Sequence, residues 1–551
     1  MARSSTGSPS PDRRDPGLRS APSLRLLAGV VLLGLASPPG AFPGAAFLVL
    51  PGLALVLDAL RPGGPRLLAL YLGGALFFAW ISWSLRHLFF GSPLVMIPAA
   101  GGLYWVLLAR VVRRAAGSGP ALLGPAVLCC GFAAMEWLRA SIPGIPYPHA
   151  QPAHALYEWP QLLRPVQVVG LVGANLLLAV TALGLVALAR SHRPAVLGIG
   201  LAAWSLLALA AATPAADGRP LSLVLAQPDL PAYEDEPGYD ELRRQLASET
   251  GTRDYVLDFA RLGRDRAGPE PVDLWVWPES FAPYSLDDDD VGRGVGPLAW
   301  LGNGAPVLFG ITSVERVPPS GGRTEPLRRR RNTAVLAAPD GRILGRAEKR
   351  LLVPIGETLP LIPLLPEAAR AAVHDLVLGW SGWPMLAPGR ALPLCELDGR
   401  RLGVPICFEN AFPHWFRAEV DRGAAFFCAL SNENWYRGGN ELDQLLACTV
   451  TAALECGRPI ARSTTDGQTC LVDAMGRIGS RLEAGTRGFL RVRVQPRAGR
   501  VPALLLAPLL PWLLGLVLIL PFVPGRRPRR GTPAGEGDPG PGWDRGPDEA
   551  S

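Results

Sequence analysis

Three short segments carry side chains that could act together on an acyl group. Trp275-Val276-Trp277-Pro278-Glu279-Ser280 sets a carboxylate just beyond an apolar run that proline ends. Glu348-Lys349-Arg350-Leu351-Leu352-Val353-Pro354-Ile355-Gly356-Glu357 carries the chain's only lysine. Gly403-Val404-Pro405-Ile406-Cys407 is an apolar run that turns at once into Phe408-Glu409-Asn410. A cysteine attacks carbonyls as its thiolate and so needs a base. Glu279, pressed between Trp277 and Ser280 behind a proline, is suited to take a proton near neutrality. An ammonium such as that of Lys349 can stabilise the oxyanion that forms. Taken singly, each residue has a plainer reading: Cys407 as a buried core thiol, Glu279 as a solvated strand-end charge, Glu357 as a loop charge.

The lysine count sharpens the picture. Of 54 basic residues, 53 are arginine, the mark of a bias that replaces lysine wherever either will serve. Arginine cannot stand in for a compact, titratable ammonium, so Lys349 reads as held by chemistry, with chance survival as the alternative.

The elements that must position these groups follow from composition. The 551 residues are 49% apolar and only 18% charged, with a mean hydropathy of +0.21. Soluble domains run nearer a quarter charged, which points to lipid as solvent for much of the chain and excludes disorder for its bulk. Apolar stretches of membrane-spanning length fall at 22–37, 42–60, 66–85, 94–112, 120–138, 166–189, 195–213 and 501–523. The first could instead be a signal peptide behind a basic leader. A net charge of +7 would suit nucleic acid, but the arginines cluster beside apolar segments, where they set orientation; no nucleic-acid partner is expected. Arg61 and Arg66, then Arg110, Arg113 and Arg114, then Arg190 and Arg193 mark every second loop, and Arg526, Arg527, Arg529 and Arg530 follow the last span. The positive-inside rule then puts both termini in the cytoplasm and residues 218–497 on the outer face. The expected organisation is a disordered tail 1–21, a seven-helix membrane domain 22–213, a catalytic domain 218–497, a C-terminal membrane helix 501–523 and a second disordered tail 524–551.

Within 218–497, β-rich runs at 221–227, 274–277, 307–312, 333–337, 404–407, 425–430, 459–463, 470–473 and 489–494 alternate with helical patterns at 239–264, 412–421 and 441–456. That alternation predicts a layered α/β domain. Glycine-rich phosphate loops and metal-ligand spacings are lacking, since the histidines (87, 149, 154, 192, 374 and 414) are scattered; no cofactor and no metal are expected. A transporter is disfavoured because Glu136 is almost alone as a charge inside the apolar segments.

In chain order the three segments resemble the Glu-Lys-Cys triad of the nitrilase superfamily. W-P-E, then K-x-x-L-V-P-x-G-E, then I-C-F-E, then S-N-x-x-W at Ser431-Asn432-Glu433-Asn434-Trp435, on a chain with seven apolar stretches before and one after, is similar to the bacterial apolipoprotein N-acyltransferases. The resemblance extends to Gly144-Ile145-Pro146-Tyr147 and to Glu455-Cys456-Gly457-Arg458-Pro459. It implies a polytopic helical membrane protein bearing an extracytoplasmic nitrilase-like four-layer αββα sandwich. It implies Glu279 as general base, Lys349 as oxyanion stabiliser and Cys407 as nucleophile. Glu357 would orient Lys349 or the cysteine, Glu409 would support the pocket, and Asn432 and Trp435 would support it or bind substrate, Trp435 at its entrance. Trp380 and Trp383, in 366–390, fall where the family has a mobile arm.

The implied reaction moves an acyl chain from a membrane phospholipid, expected to be phosphatidylethanolamine, through a Cys407 thioacyl-enzyme. The acceptor is the α-amine of an S-diacylglyceryl cysteine on an apolipoprotein. The implied setting is the bacterial inner membrane with the domain in the periplasm, and a monomer is expected. The alternatives are a membrane-anchored carbon–nitrogen hydrolase acting on a small amide, or an inactive binding module. Tyr147 and Phe408 stand where the family often has Trp and Tyr, which bears on substrate preference more than on the reaction.

Overall fold

The computed structural model describes residues 17–523 except 89–90, 118–119, 231–239, 242–243, 245–248, 282–284, 288–294, 318–326, 360–364, 367–368, 371, 374–375, 377–384, 391–393 and 437–438. Both tails, apart from 17–21, and the pair Trp380 and Trp383 lie outside these residues.

All eight apolar stretches are helical: α1 (Gly17–Ala36), α2 (Val49–Leu60), α3 (Leu67–Ile81), α4 (Pro93–Ala116), α5 (Leu123–Ser141), α6 (Val166–Ser191), α7 (Ala195–Ala210) and, after the α/β domain, α11 (Ala503–Ile519). Three helices, Pro93–Ala116, Val166–Ser191 and Ala503–Phe522, are long and apolar enough to cross a membrane by length and composition. Leu68, Leu72 and Trp80 on α3, Leu206 and Leu209 on α7, and Trp512 and Leu516 on α11 are exposed. Apolar surface on that scale suits hydrocarbon rather than water, as in a membrane protein.

Between α7 and α11 lie the strands β1 (Leu221–Gln227), β2 (Leu274–Val276), β3 (Ser285–Asp287), β4 (Val307–Val317), β5 (Leu327–Ala337), β6 (Ile343–Glu348), β7 (Cys395–Leu397), β8 (Arg400–Gly403), β9 (Ala424–Ser431), β10 (Ile460–Thr464), β11 (Thr469–Val472), β12 (Ile478–Leu482) and β13 (Gly488–Val494). Helices α8 (Glu249–Ala267), α9 (Pro413–Asp421) and α10 (Glu441–Cys456) are interspersed. The strands form two sheets, ordered β13-β1-β2-β4-β5-β6, with β3 beside β4, and β12-β11-β10-β9-β8-β7.

Side-chain alternation, two residues per repeat, explains how the sheets stack. Leu221, Leu223 and Leu225 of β1 pack with Leu402, Phe426, Cys428 and Leu430 of the second sheet, so these faces meet. Val224 and Ala226 point the other way, onto Phe259 and Ala260 of α8. Phe427 and Ala429 face outward from β9 onto Phe416 of α9 and Leu446 and Val450 of α10. The result is a four-layer αββα sandwich. β9 is buried along its whole length, as a strand covered on both faces must be.

α10 is buried on every side except at Asp443, because membrane-side elements cover the face that the sheet leaves. Gln444 donates to the Ile81 carbonyl at 2.8 Å and Tyr157 to Asp443 at 2.9 Å. Gly170, at φ 68° and ψ 178°, breaks α6, and the Leu171 N–H beyond the break donates to Glu455 at 2.7 Å. The α/β domain is thus tied to the helices from both ends of α10.

The structure corrects the expected strand at 404–407. The ladder ends at Gly403, because Pro405 has no N–H to give, and only Ile406 forms an isolated bridge, to Leu430. The short strands β3, β6, β7, β8 and β12 went unanticipated, and the first domain helix is described from Glu249 to Ala267 rather than over 239–264.

Candidate active site

Each expected catalytic group sits where a strand stops. β2 delivers Trp277, which is buried with its indole N–H on the Leu301 carbonyl at 3.2 Å. Pro278 ends the pairing, and Ser280 takes a φ of 52°, which turns the chain and holds Glu279 over the sheet edge. Gly310 of β4 permits this, donating its N–H to the Pro278 carbonyl at 3.2 Å. A Cβ on Gly310 would lie 2.6 Å from both the Glu279 Cα and the Ser280 nitrogen. Gly310→Ala is therefore expected to displace Glu279, slowing acylation of Cys407 at least tenfold and costing about 1–3 kcal/mol by overpacking. Single-turnover kinetics and a denaturant midpoint check this; wild-type values for both would mean that the approach does not position the carboxylate.

Lys349 follows β6 directly. Its N–H donates to the Asn332 carbonyl and its own carbonyl accepts from Gly389, each at 2.8 Å. The side chain is wholly buried, with Nζ 2.7 Å from Glu357 and 3.2 Å from Glu279. Burial works against its charge, but the Cys407 sulfur, Glu279 and Glu357 outweigh it and hold the ammonium well above its ordinary range. Glu357 is fixed in turn by the Val353 N–H at 2.8 Å, in a turn where Ile355 has φ 70°.

Cys407 opens a 3₁₀ turn, Cys407–Ala411, with φ 53°. A left-handed conformation at a non-glycine residue costs of the order of 1–3 kcal/mol and needs enforcement. Glu409 supplies it. Its carboxylate accepts the Ile406 N–H at 2.9 Å, and the Arg350 and Leu351 N–H groups at 2.8 and 3.3 Å. One buried carboxylate thus ties the cysteine turn to the lysine segment. Burial pushes the Cys407 thiol up, and Glu279 pushes the same way against Lys349. Cys407 thus rests as a thiol beside Glu279.

The third contributor is the loop after β9. The Asn432 N–H donates to Glu279 Oε2 at 2.7 Å, while its side-chain oxygen accepts from Thr465 at 2.9 Å. Asn432 acts on Glu279 through its backbone. Trp435 is partly buried against a cluster of Phe408, Phe412, Tyr436, Leu442 and the membrane-side Leu88, so apolar surface runs from the cysteine turn to the helices.

The structure brings Glu279, Lys349, Cys407 and the partly exposed Glu357 into one cluster, with Glu409 and Asn432 as its supports and Trp435 at its apolar side. Sequence reasoning missed Asn332, whose side-chain amide donates to Glu279 Oε1. It also missed the buried Glu433–Arg462 pair beneath the Asn432 loop. No local signal distinguishes Asn332, since it ends a run of four arginines; its role arises from the β5–β6 pairing.

Residues 226–502 match the carbon–nitrogen hydrolase family, and residues 29–184 match the apolipoprotein N-acyltransferase N-terminal domain. The chain is 28% identical over 497 residues to an apolipoprotein N-acyltransferase of Rhizobium rhizogenes, covering 85% of this chain and 88% of the relative. A protein of the same description from Geobacter metallireducens is 32% identical over 225 residues, 40% of each chain. Among solved structures, a variant amidase of the nitrilase superfamily from Nesterenkonia covers 51% of this chain and 92% of its own, at 18% identity and a TM-score of 0.32.

Proposed function

Given that the chain belongs to the apolipoprotein N-acyltransferases of the carbon–nitrogen hydrolase superfamily, we propose that Glu279, Lys349 and Cys407 carry its reaction. The activity is N-acylation of lipoproteins with acyl chains from phospholipid, and full-length relatives weigh against a small-amide hydrolase. The observation that carries the site assignment is the convergence of base, ammonium and thiol, with Lys349 Nζ 3.2 Å from Glu279 and both groups within electrostatic reach of the Cys407 sulfur.

Glu279 takes the Cys407 proton as the sulfur attacks an ester carbonyl of the donor, expected to be phosphatidylethanolamine. Once the proton has moved, Glu279 is neutral and no longer opposes the anion on sulfur, while Lys349 still favours it. The tetrahedral oxyanion is met by the Lys349 ammonium, with the Phe408 N–H at the start of the 3₁₀ turn as a second donor. Collapse expels the lysophospholipid alkoxide, which recovers the proton from Glu279, and leaves a thioester on Cys407. The α-amine of the acceptor's diacylglyceryl cysteine then attacks that thioester and gives its proton to Glu279. Collapse forms the amide and releases the thiolate, which is reprotonated. Glu357 and Glu409 are positioning residues, and Trp435 lies on the apolar path by which lipid arrives.

The arginine distribution supports an orientation with both termini cytoplasmic and the α/β domain facing the periplasm, in a bacterial inner membrane. A monomer suffices, since every group used comes from one chain.

The test uses the full chain in phosphatidylethanolamine vesicles bearing a labelled acyl chain, with a diacylglyceryl-cysteine peptide. Label should appear as an amide on the peptide, with one lysophospholipid per transfer. Label released as free fatty acid at one rate with or without peptide would make the protein a hydrolase.

A further inference from the structure

Near the Cys407 turn lies a second cluster of buried polar groups, several of whose atoms have no hydrogen-bond partner among the described residues. The segment between α5 and α6 carries Tyr147 and His149, and α10 begins with Glu441. His149 Nδ1 lies 3.1 Å from Glu441 Oε1, too far off axis to form a hydrogen bond. The His149 ring is 5.4 Å from Tyr147 and 6.0 Å from Phe408, the residue after the nucleophile. Tyr436, buried, stands within electrostatic reach of both Cys407 and Glu441. Glu441 is 1% exposed, yet among the described residues its Oε2 and the Tyr147 hydroxyl are buried without a hydrogen-bond partner.

A buried carboxylate is costly without a cation. Among the described residues, the basic group paired with Glu441 is His149. Burial, aided by His154 and Arg139, pushes that imidazole down to about 3, so it is neutral near pH 7. Arg139 is committed elsewhere, to Glu136 at 2.7 Å and to the carbonyls of Tyr147 and His149 at 2.6 and 2.9 Å. Burial, then Glu433, pushes Glu441 up to about 8. Near pH 7 Glu441 therefore rests largely as the neutral acid, and an ammonium placed beside it would favour its carboxylate, releasing that proton, and offer several hydrogen bonds. A primary ammonium has three donors and no acceptor. It would meet Glu441 Oε2 and the Tyr147 oxygen, and the Phe408 ring would add cation–π attraction, the Tyr147 ring being already 5.8 Å from the Arg139 guanidinium.

We propose that Glu441, with Tyr147, binds the primary ammonium of a substrate beside Cys407. The site rests on the acyltransferase reading, in which two substrates bring such a group: the ethanolamine headgroup of the donor and the α-amine of the acceptor. Which of them is held is decided by the step that fails when the carboxylate is neutralised.

The experiment measures both half-reactions of the purified full chain and of Glu441→Gln. Cys407 acylation is followed from phosphatidylethanolamine and from phosphatidylglycerol, and discharge of the thioacyl form by a diacylglyceryl-cysteine peptide. If the headgroup is bound, the variant loses at least tenfold in acylation rate from phosphatidylethanolamine, and its preference over phosphatidylglycerol shrinks. If the α-amine is bound, the loss falls on discharge, with the half-saturating peptide concentration raised at least tenfold. Both steps within twofold of wild type would overturn the site. Should Glu441→Gln melt far below wild type, Tyr147→Phe decides, since it removes one unpartnered oxygen; a three- to tenfold loss in one step is expected, and no loss in either overturns the proposal. A wild-type protein that forms no thioacyl adduct would instead sink the acyltransferase chemistry, and this site with it.

Discussion

Lys349→Arg is expected to slow acylation of Cys407 by about 10²–10³-fold, the usual cost of losing one oxyanion donor, although the charge is kept. The Lys349 side chain is wholly buried, and its ammonium fits between carboxylates at 2.7 and 3.2 Å. A guanidinium is larger and planar, and binds carboxylates through a fork. It would either push Glu279 and Glu357 apart or pair with one of them and turn its donors away from the oxyanion. Single-turnover acylation, measured beside the melting temperature, separates a chemical loss from an unfolded protein. A well-folded variant that reacts within tenfold of wild type would remove the reason given for the chain's single lysine.

Glu279→Gln is expected to cost about 10²–10⁴-fold, the range for a general base, through two effects of unequal size. The amide can no longer take the thiol proton. It also turns an NH₂ toward a donor, because both carboxylate oxygens accept: Oε1 from Asn332 and Lys349, Oε2 from the Asn432 N–H. An opposing effect is smaller. Loss of the carboxylate charge removes one of the causes that hold the Cys407 thiol up, which eases its direct ionisation. The residual rate should therefore climb by about tenfold per pH unit as thiolate forms without a base. A flat profile at the reduced rate would point to misplacement of Cys407 rather than loss of a base.

The three groups proposed to carry the reaction stood out because two of them follow a proline and the third is the chain's only lysine. Pro278 ends the run that Trp277 closes, Lys349 is distinguished by its residue type alone, and Pro405 stops the pairing before Cys407. The supports were less legible, since their roles arise across the sheet. Asn332 matters because β5 lies beside β6, and Gly310 because the 278–280 segment folds down onto β4. Strand β6 escaped notice because Gly345 and Arg346 break its apolar alternation. The complete burial of α10 escaped notice because half of its cover is the membrane-side helices, a fact no local pattern contains. Glu441 was invisible for the same reason: it reads as an ordinary acidic residue at a helix start, and only the loop carrying His149 makes it a buried one.

Intact mass spectrometry of the detergent-purified protein after incubation with phosphatidylethanolamine tests the central claim most directly. The expected result is a hydroxylamine-labile adduct of one acyl chain on Cys407, missing from Cys407→Ala and discharged by a diacylglyceryl-cysteine peptide. A folded protein that forms no adduct would contradict Cys407 as the nucleophile, and an adduct that decays to water alone would contradict the transfer.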